Sequence, residues 1–469
     1  MKNNRKIAKN IVWALGAQIL SLAISFVIGF IVPKFIDEYQ YSYWQTFMLY
    51  YGYVGVFHFG ILDGLILRYS QYSYDQLDKA KIRSQFQLLM VITSTVAGLI
   101  SIGSAFVLGG PYFIIAILVC VGIVIKNFFA YTSFTFQMTN RINHYAIMSI
   151  VQRLLYGGLV VGMLIGGVKQ FYWYCIADLA SELIATLISC LFNRGMYFGK
   201  MIPLREALSE MWGNISAGAF LMIANLASTL LVGGAKMVIQ WRWDELVFGK
   251  LAFSFQVSNL FLTFVTAISV VLFPSLKRMK EGELPGLYGK MRTLLSLCLF
   301  GVLLGYFPAC WILRLWLPKY AESLVYLGVL LPIIVFMSKV NFLTNNYLKV
   351  YRKERLMLLI NVCSVAIGFL LFLVCAYGFD SVDWLLYSVV AVIAISCFIS
   401  ELAVAKILKQ VHLIDFAVEA VMTVTFMVLT RACSLLVGFL IYLGVMALYF
   451  VLYTLPAYKR RRCADGEEG

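Results

Sequence analysis

The chain has 469 residues, of which 62% are hydrophobic and only 13% charged, with 38 Lys and Arg against 23 Asp and Glu. A soluble domain carries about a quarter charged residues, so this composition excludes one and implies an all-α polytopic membrane protein. The formal net charge of +15 lies mostly in short segments between apolar runs, where helix orientation accounts for it, and nucleic acid is not expected as a partner.

The opening MKNNRKIAKN is basic and leads into the apolar run Ile11 to Val32. That run is too long for the core of a signal peptide and no A-x-A-like site follows it, so it reads as the first span. Including it, apolar runs of spanning length fall at about 10–32, 42–67, 84–109, 111–136, 144–167, 171–192, 212–238, 247–273, 291–315, 322–346, 355–377, 383–408, 414–430 and 433–455. That gives about fourteen transmembrane helices; Arg431 marks either a hairpin between the last two or a point within one tilted span. The ten cysteines are scattered singly and the three histidines lie far apart, so neither a metal site, a disulfide framework nor a cofactor is expected.

Glycines recur every four residues at Gly60 and Gly64 and again at Gly158, Gly162 and Gly166, a spacing that predicts close helix packing. Aromatic clusters at Tyr39 to Trp44, Tyr172 to Tyr174 and Trp241 to Trp243 suit the interfacial belts of a membrane protein. With the N-terminus cytoplasmic, 27 Lys and Arg fall on the cytoplasmic side, Lys290 and Arg292 among them, and 8 on the other. The positive-inside rule then predicts both termini in the cytoplasm.

Three basic residues remain that loops do not explain: Lys126, Arg153 and Lys339. Lys126 lies about 16 Å along its helix from Gln137, roughly half of a hydrocarbon core, and so near mid-membrane. Lys339 recurs in a corresponding span of the second half, at an offset of 213. The end of span 2 resembles the end of span 8 at an offset of 209, and Asp178 and Glu182 match Glu401 at offsets of 223 and 219. These echoes predict two pseudo-symmetric six-helix lobes around a central cavity, residues 1–193 and 212–410, joined by a cytoplasmic linker, 194–211. Two additional transmembrane helices at 411–456 and a basic cytoplasmic tail at 457–469 complete the expected organisation.

Three cations at the centres of spans cost on the order of 8 to 10 kcal/mol on insertion scales. Two arrangements offset that cost. Asp178 and Glu182, on one helical face, can neutralise Lys126 and Arg153 while Glu401 neutralises Lys339. Alternatively Lys126, Arg153 and Lys339 line a water-filled cavity that receives an anionic substrate, with the carboxylates tuning the field or coupling transport to an ion gradient; recurrence of the cations at matching helices favours this. Asp63 and Arg68, below His58 near the end of span 2, form a candidate gate or a snorkelling pair.

The opening Asn10, Trp13 and Gln18, the stretch Phe59 to Gln71 (FGILDGLILRYSQ), and Phe248 to Asn259 followed by Val270 to Met279 resemble the multidrug/oligosaccharidyl-lipid/polysaccharide (MOP) exporter superfamily. Within it the chain looks like the Wzx-type polysaccharide transporters. The resemblance implies two six-helix lobes around a cationic cavity. It implies translocation of an undecaprenyl-diphosphate-linked oligosaccharide across the bacterial inner membrane by alternating access, Lys126, Arg153 and Lys339 compensating the diphosphate. Coupling to a proton or sodium gradient through Asp178, Glu182 or Glu401 fits that expectation, as do other polysaccharide-assembly membrane proteins as partners. A flippase for the peptidoglycan lipid and a drug or metabolite exporter are the alternatives. A membrane glycan polymerase or ligase is disfavoured because the external segments are all short, so no enzyme is expected.

Overall fold

The computed structural model describes the backbone of residues 2–277, 284–409 and 413–456, and within these the side chains of all but 2–15, 17–19, 261, 263–277 and 413. The motif residues Asn10, Trp13 and Gln18, the side chains of Val270 to Met279 and the tail 457–469 lie outside the described residues.

Every described element is helical. The first unit, Met1–Thr229, holds α1 (Lys2–Phe35), α2 (Glu38–Tyr51), α3 (Ile61–Tyr69), α4 (Lys79–Val107), α5 (Gly110–Met138), α6 (Ile142–Ile165), α7 (Phe171–Leu191) and most of α8 (Leu204–Arg242). The second, Leu230–Gly469, holds the end of α8, then α9 (Glu245–Lys277), α10 (Leu284–Leu303), α11 (Tyr306–Trp316), α12 (Ser323–Leu330), α13 (Ile333–Ser338), α14 (Asn345–Val350), α15 (Glu354–Leu373), α16 (Val382–Leu408), α17 (Leu413–Ala432) and α18 (Leu435–Tyr449). Among the described residues nine helices are long and apolar enough to cross a membrane, or eleven when each of two bent pairs is one span. The other three apolar runs of the sequence lie on α1, α9 and α17.

Local chemistry sets the helix ends. Asp37 caps α2 by accepting from the Tyr39 amide, and Asp78 caps α4 by accepting from the Ala80 and Lys81 amides. The α2–α3 pair bends by 52° at a break that ends on Gly60, whose φ of +83° suits a residue without a Cβ. The α12–α13 pair bends by 40° at Pro332, which cannot donate a helical hydrogen bond.

The two glycine series part company. A Cβ at Gly64 would lie 2.0 Å from the Asn214 carbonyl oxygen, and one at Gly218 would lie 2.1 Å from that of Gly60, so α3 and α8 pack backbone against backbone as the spacing predicts. Gly158 and Gly162 meet nothing within 4 Å, and the glycine of that helix that does face a neighbouring helix is Gly157, against Ile24. The second series is therefore not a packing seam. Four-residue spacing marks a face, not what covers it.

The segment expected to link the lobes, 194–211, is bound to unit one. Arg83 donates to the carbonyls of Lys200 and Gly195, Gln85 to that of Ala207, and the Ile202 amide to the Ser84 hydroxyl. The division between the units falls later, between Thr229 and Leu230 inside α8. The two C-terminal helices are integral to unit two: α17 packs on α12 and α10, and α18 on α11.

Candidate functional site

In unit one the intramembrane charges gather where α5, α6 and α7 meet the end of α2. Asn127 fixes the register of α5 by donating to the carbonyl of Val54 at 3.0 Å, and its neighbour Lys126 is thereby held toward α7. The Lys126 ammonium donates to Glu182 Oε1 at 2.6 Å, while the Tyr51 hydroxyl donates to Glu182 Oε2 at 2.5 Å. The same ammonium stands 4.7 Å from the centre of the Tyr51 ring, a cation–π distance. Asp178, one turn earlier on α7, accepts from Gln152 at 3.3 Å, and Gln152 also donates to Ser181. Arg153, half-buried on α6, makes no ion pair with Asp178. Glu182 is buried, with 4% of its side chain exposed, whereas Lys126 keeps 37% open.

In unit two the corresponding lysine is enclosed. Lys339 has none of its side chain exposed and donates to Glu401 Oε1 and Glu419 Oε2, each at 2.5 Å. Arg292 donates to Glu401 Oε2 through Nε at 3.0 Å and Nη2 at 2.7 Å, reaches Glu419 at 3.3 Å and pairs with Asp415. Ser296 donates to Glu419, and the Tyr453 hydroxyl to Asp415. Two cations and three carboxylates thus tie α10, the turn that follows α13, α16 and α17 together.

Of the cations expected to meet substrate, Lys126 is half-open and Arg153 half-buried, but Lys339 is sealed by carboxylates. This departs from the expectation of two equivalent substrate-facing lysines. Glu401 and Glu182 are found as lysine partners, whereas Asp178, one turn from Glu182, has no ion pair among the described residues. Asp63 and Arg68 do not pair with each other. Asp63 lies 3.8 Å from His58, and Arg68 holds Glu210 at 2.7 Å and Asn214 at 2.7 Å.

Three residues of the unit-two network were not singled out in the sequence. Arg292, counted among the cytoplasmic loop cations, lies on α10 with 5% of its side chain exposed. Its position next to Lys290 suggested a loop, but three carboxylates draw it inside. Asp415 and Glu419 repeat the Asp178 and Glu182 spacing, each pair followed four residues later by a threonine, Thr186 or Thr423. That D-x-x-x-E-x-x-x-T pattern was the available signal.

No family profile matches the sequence, and no curated protein matches it either. Solved structures do. The lipid II flippase MurJ in an inward closed conformation superposes with a TM-score of 0.65 at 12% identity, covering 95% of this chain and 99% of that one. The chain shares the fold of that protein. An inward-facing multidrug resistance MATE family transporter of the MOP superfamily gives 0.60 at 10% identity over 84% of this chain and 94% of its own. An outward-facing one gives 0.56 at 12% over 86% and 96%. The shared fold agrees with the all-α, many-span architecture expected from the sequence.

Proposed function

We propose that this protein is a flippase that moves an undecaprenyl-diphosphate-linked oligosaccharide across the bacterial inner membrane by alternating access, with both termini in the cytoplasm. The observation that carries the reading is Lys126: a mid-span cation, more than a third open, on a fold shared with a lipid II flippase. A diphosphate presents acceptors to which an ammonium bonds strongly in low dielectric. Lys126, with Arg153 on the neighbouring helix α6, is the contact for that group, and Glu182 is the counter-ion that the diphosphate displaces. Lys339 is an internal partner in unit two. The chemistry is physical and no covalent step is required of the protein.

The likeness to a lipid II flippase supports one alternative, the peptidoglycan lipid as substrate. The two readings separate in cells lacking the gene. Loss of surface polysaccharide with growth and peptidoglycan intact is expected; lysis with accumulated peptidoglycan precursor would give the substrate to the alternative.

Within either reading, Lys126→Ala is expected to abolish export at normal membrane abundance. Lys126→Arg is expected to retain part of it, because the charge survives although the geometry changes. If Lys126→Ala combined with Glu182→Gln exports normally, Lys126 is a structural partner and the binding role is wrong.

A further inference from the structure

Away from the charged cluster, unit one has a crevice of about 110 Å³ between α5, α6 and α7, lined by Met148, Val151, Ala185 and Ser189. It opens between Ile147, Ile188 and Phe192, whose exposures are 46%, 41% and 59%. Its lining is apolar except for Ser189 and, at one end, His144, whose ring stacks on Phe136 with centroids 5.5 Å apart. An apolar cavity of about 150 Å³ accepts a benzene ring, so this one takes a short length of hydrocarbon chain.

What stands at its mouth distinguishes it from an ordinary lipid-facing dent. Arg141, in the turn between α5 and α6, spends its hydrogen bonds on neutral groups: the Phe192 carbonyl at 3.1 Å, Asn193 Oδ1 at 3.4 Å and a His144 ring nitrogen at 3.3 Å. Its guanidinium is held between the rings of Tyr74 and Phe136, at 4.8 and 5.3 Å. Among the described residues no carboxylate pairs with it; Arg194, next in sequence to its partner Asn193, is exposed just beyond α7, and a second cation, Lys79, stands 4.5 Å from the centre of the same Tyr74 ring. A fixed cation without an ion pair at a helix turn, with a hydrocarbon-sized slot running from it along the span, is complementary to a lipid with an anionic head group.

We infer that the α5–α6–α7 crevice is a binding site for an anionic phospholipid, its phosphate on Arg141 and part of one acyl chain between Ile147 and Ile188. The site is separate from Lys126, and the inference does not depend on which substrate the protein carries.

The purified full-length protein, titrated with phosphatidylglycerol or phosphatidylethanolamine and read by native mass spectrometry, tests it. Phosphatidylglycerol is expected to bind about fivefold more tightly, the scale of one basic residue at an anionic surface. Arg141→Gln should bring it to the phosphatidylethanolamine level while Arg141→Lys retains it. Ile188→Trp, which occludes the mouth from the lipid-exposed side and so leaves folding intact, should weaken both lipids alike. Equal binding of the two phospholipids, or retention in both Arg141→Gln and Ile188→Trp, would overturn the site. Displacement of phosphatidylglycerol by an equal concentration of undecaprenyl phosphate would overturn the assignment to phospholipid and give the crevice to the carrier lipid.

Discussion

Lys126 and Lys339 stand on corresponding helices of the two units, yet one is bonded to a single carboxylate and more than a third open while the other is closed in by two. The arginines at the start of the third and ninth spans diverge in the same sense. Arg83 and Arg292 share the offset of 209 seen elsewhere in the repeat, and both are buried. Arg83 donates to backbone carbonyls of the segment after α7, whereas Arg292 binds three carboxylates. Basic residues at similar offsets in the two halves are thus put to two uses. Lys339 and Arg292 of unit two are closed in by carboxylates, whereas Lys126 of unit one stays partly exposed.

The largest expected effect follows from breaking the closed side. Lys339→Ala leaves Arg292 alone against three buried carboxylates, an excess of interior charge that costs about 3–5 kcal/mol, and the protein should fall to a small fraction of its normal level in membrane immunoblots. Lys126→Ala, whose partner Glu182 keeps its bond from Tyr51, should leave that level nearly unchanged. Equal abundance of the two variants would end the distinction drawn between the units.

Next in size is its partial reversal. Lys339→Met combined with Glu419→Gln removes one charge of each sign and should recover most of the abundance lost in Lys339→Ala. Failure to recover would mean that Lys339 is needed as a cation and not only as a partner. Arg292→Lys keeps the charge but loses the fork that reaches Glu401 twice, and a destabilisation of about 2 kcal/mol is expected from thermal unfolding in detergent.

The smallest effect sharpens the open side. Tyr51→Phe preserves the ring beneath Lys126 and removes one hydrogen bond to Glu182, so export should change by less than about tenfold, as a contribution of roughly 1 kcal/mol implies. A complete loss of export would assign the hydroxyl a role beyond positioning.

The sequence revealed half of these networks for a definite reason. A cation at mid-span, such as Lys126 or Lys339, is not explained by a loop and stands out, and its carboxylate partners Glu182 and Glu401 follow from the need to offset it. Arg292, Asp415 and Glu419 lie nearer helix ends, where a charge in the sequence is as easily read as facing water. Only packing distinguishes the two cases: Arg292 points at α16 and α17, which lie more than a hundred residues away. The glycines teach the same lesson. Gly64 and Gly162 look alike in sequence, but whether a helix crosses there is a tertiary fact. The fold class needed no such information, because runs of apolar residues long enough to span a bilayer admit few structures other than helices.

Unit two also contains three π turns, Lys339–Thr344, Val374–Gly378 and Phe450–Thr454. Each accommodates one residue more than an α-helical turn and so rotates the residues beyond it by about 100° around the helix. Between Lys126/Lys339 and Glu182/Glu401 the repeat offset grows from 213 to 219, and two of these turns lie in that interval. Part of the length difference between the halves is therefore stored within spans and not in loops, and an alignment of the two halves that confines its gaps to loops will place residues beyond Thr344 on the wrong helical face.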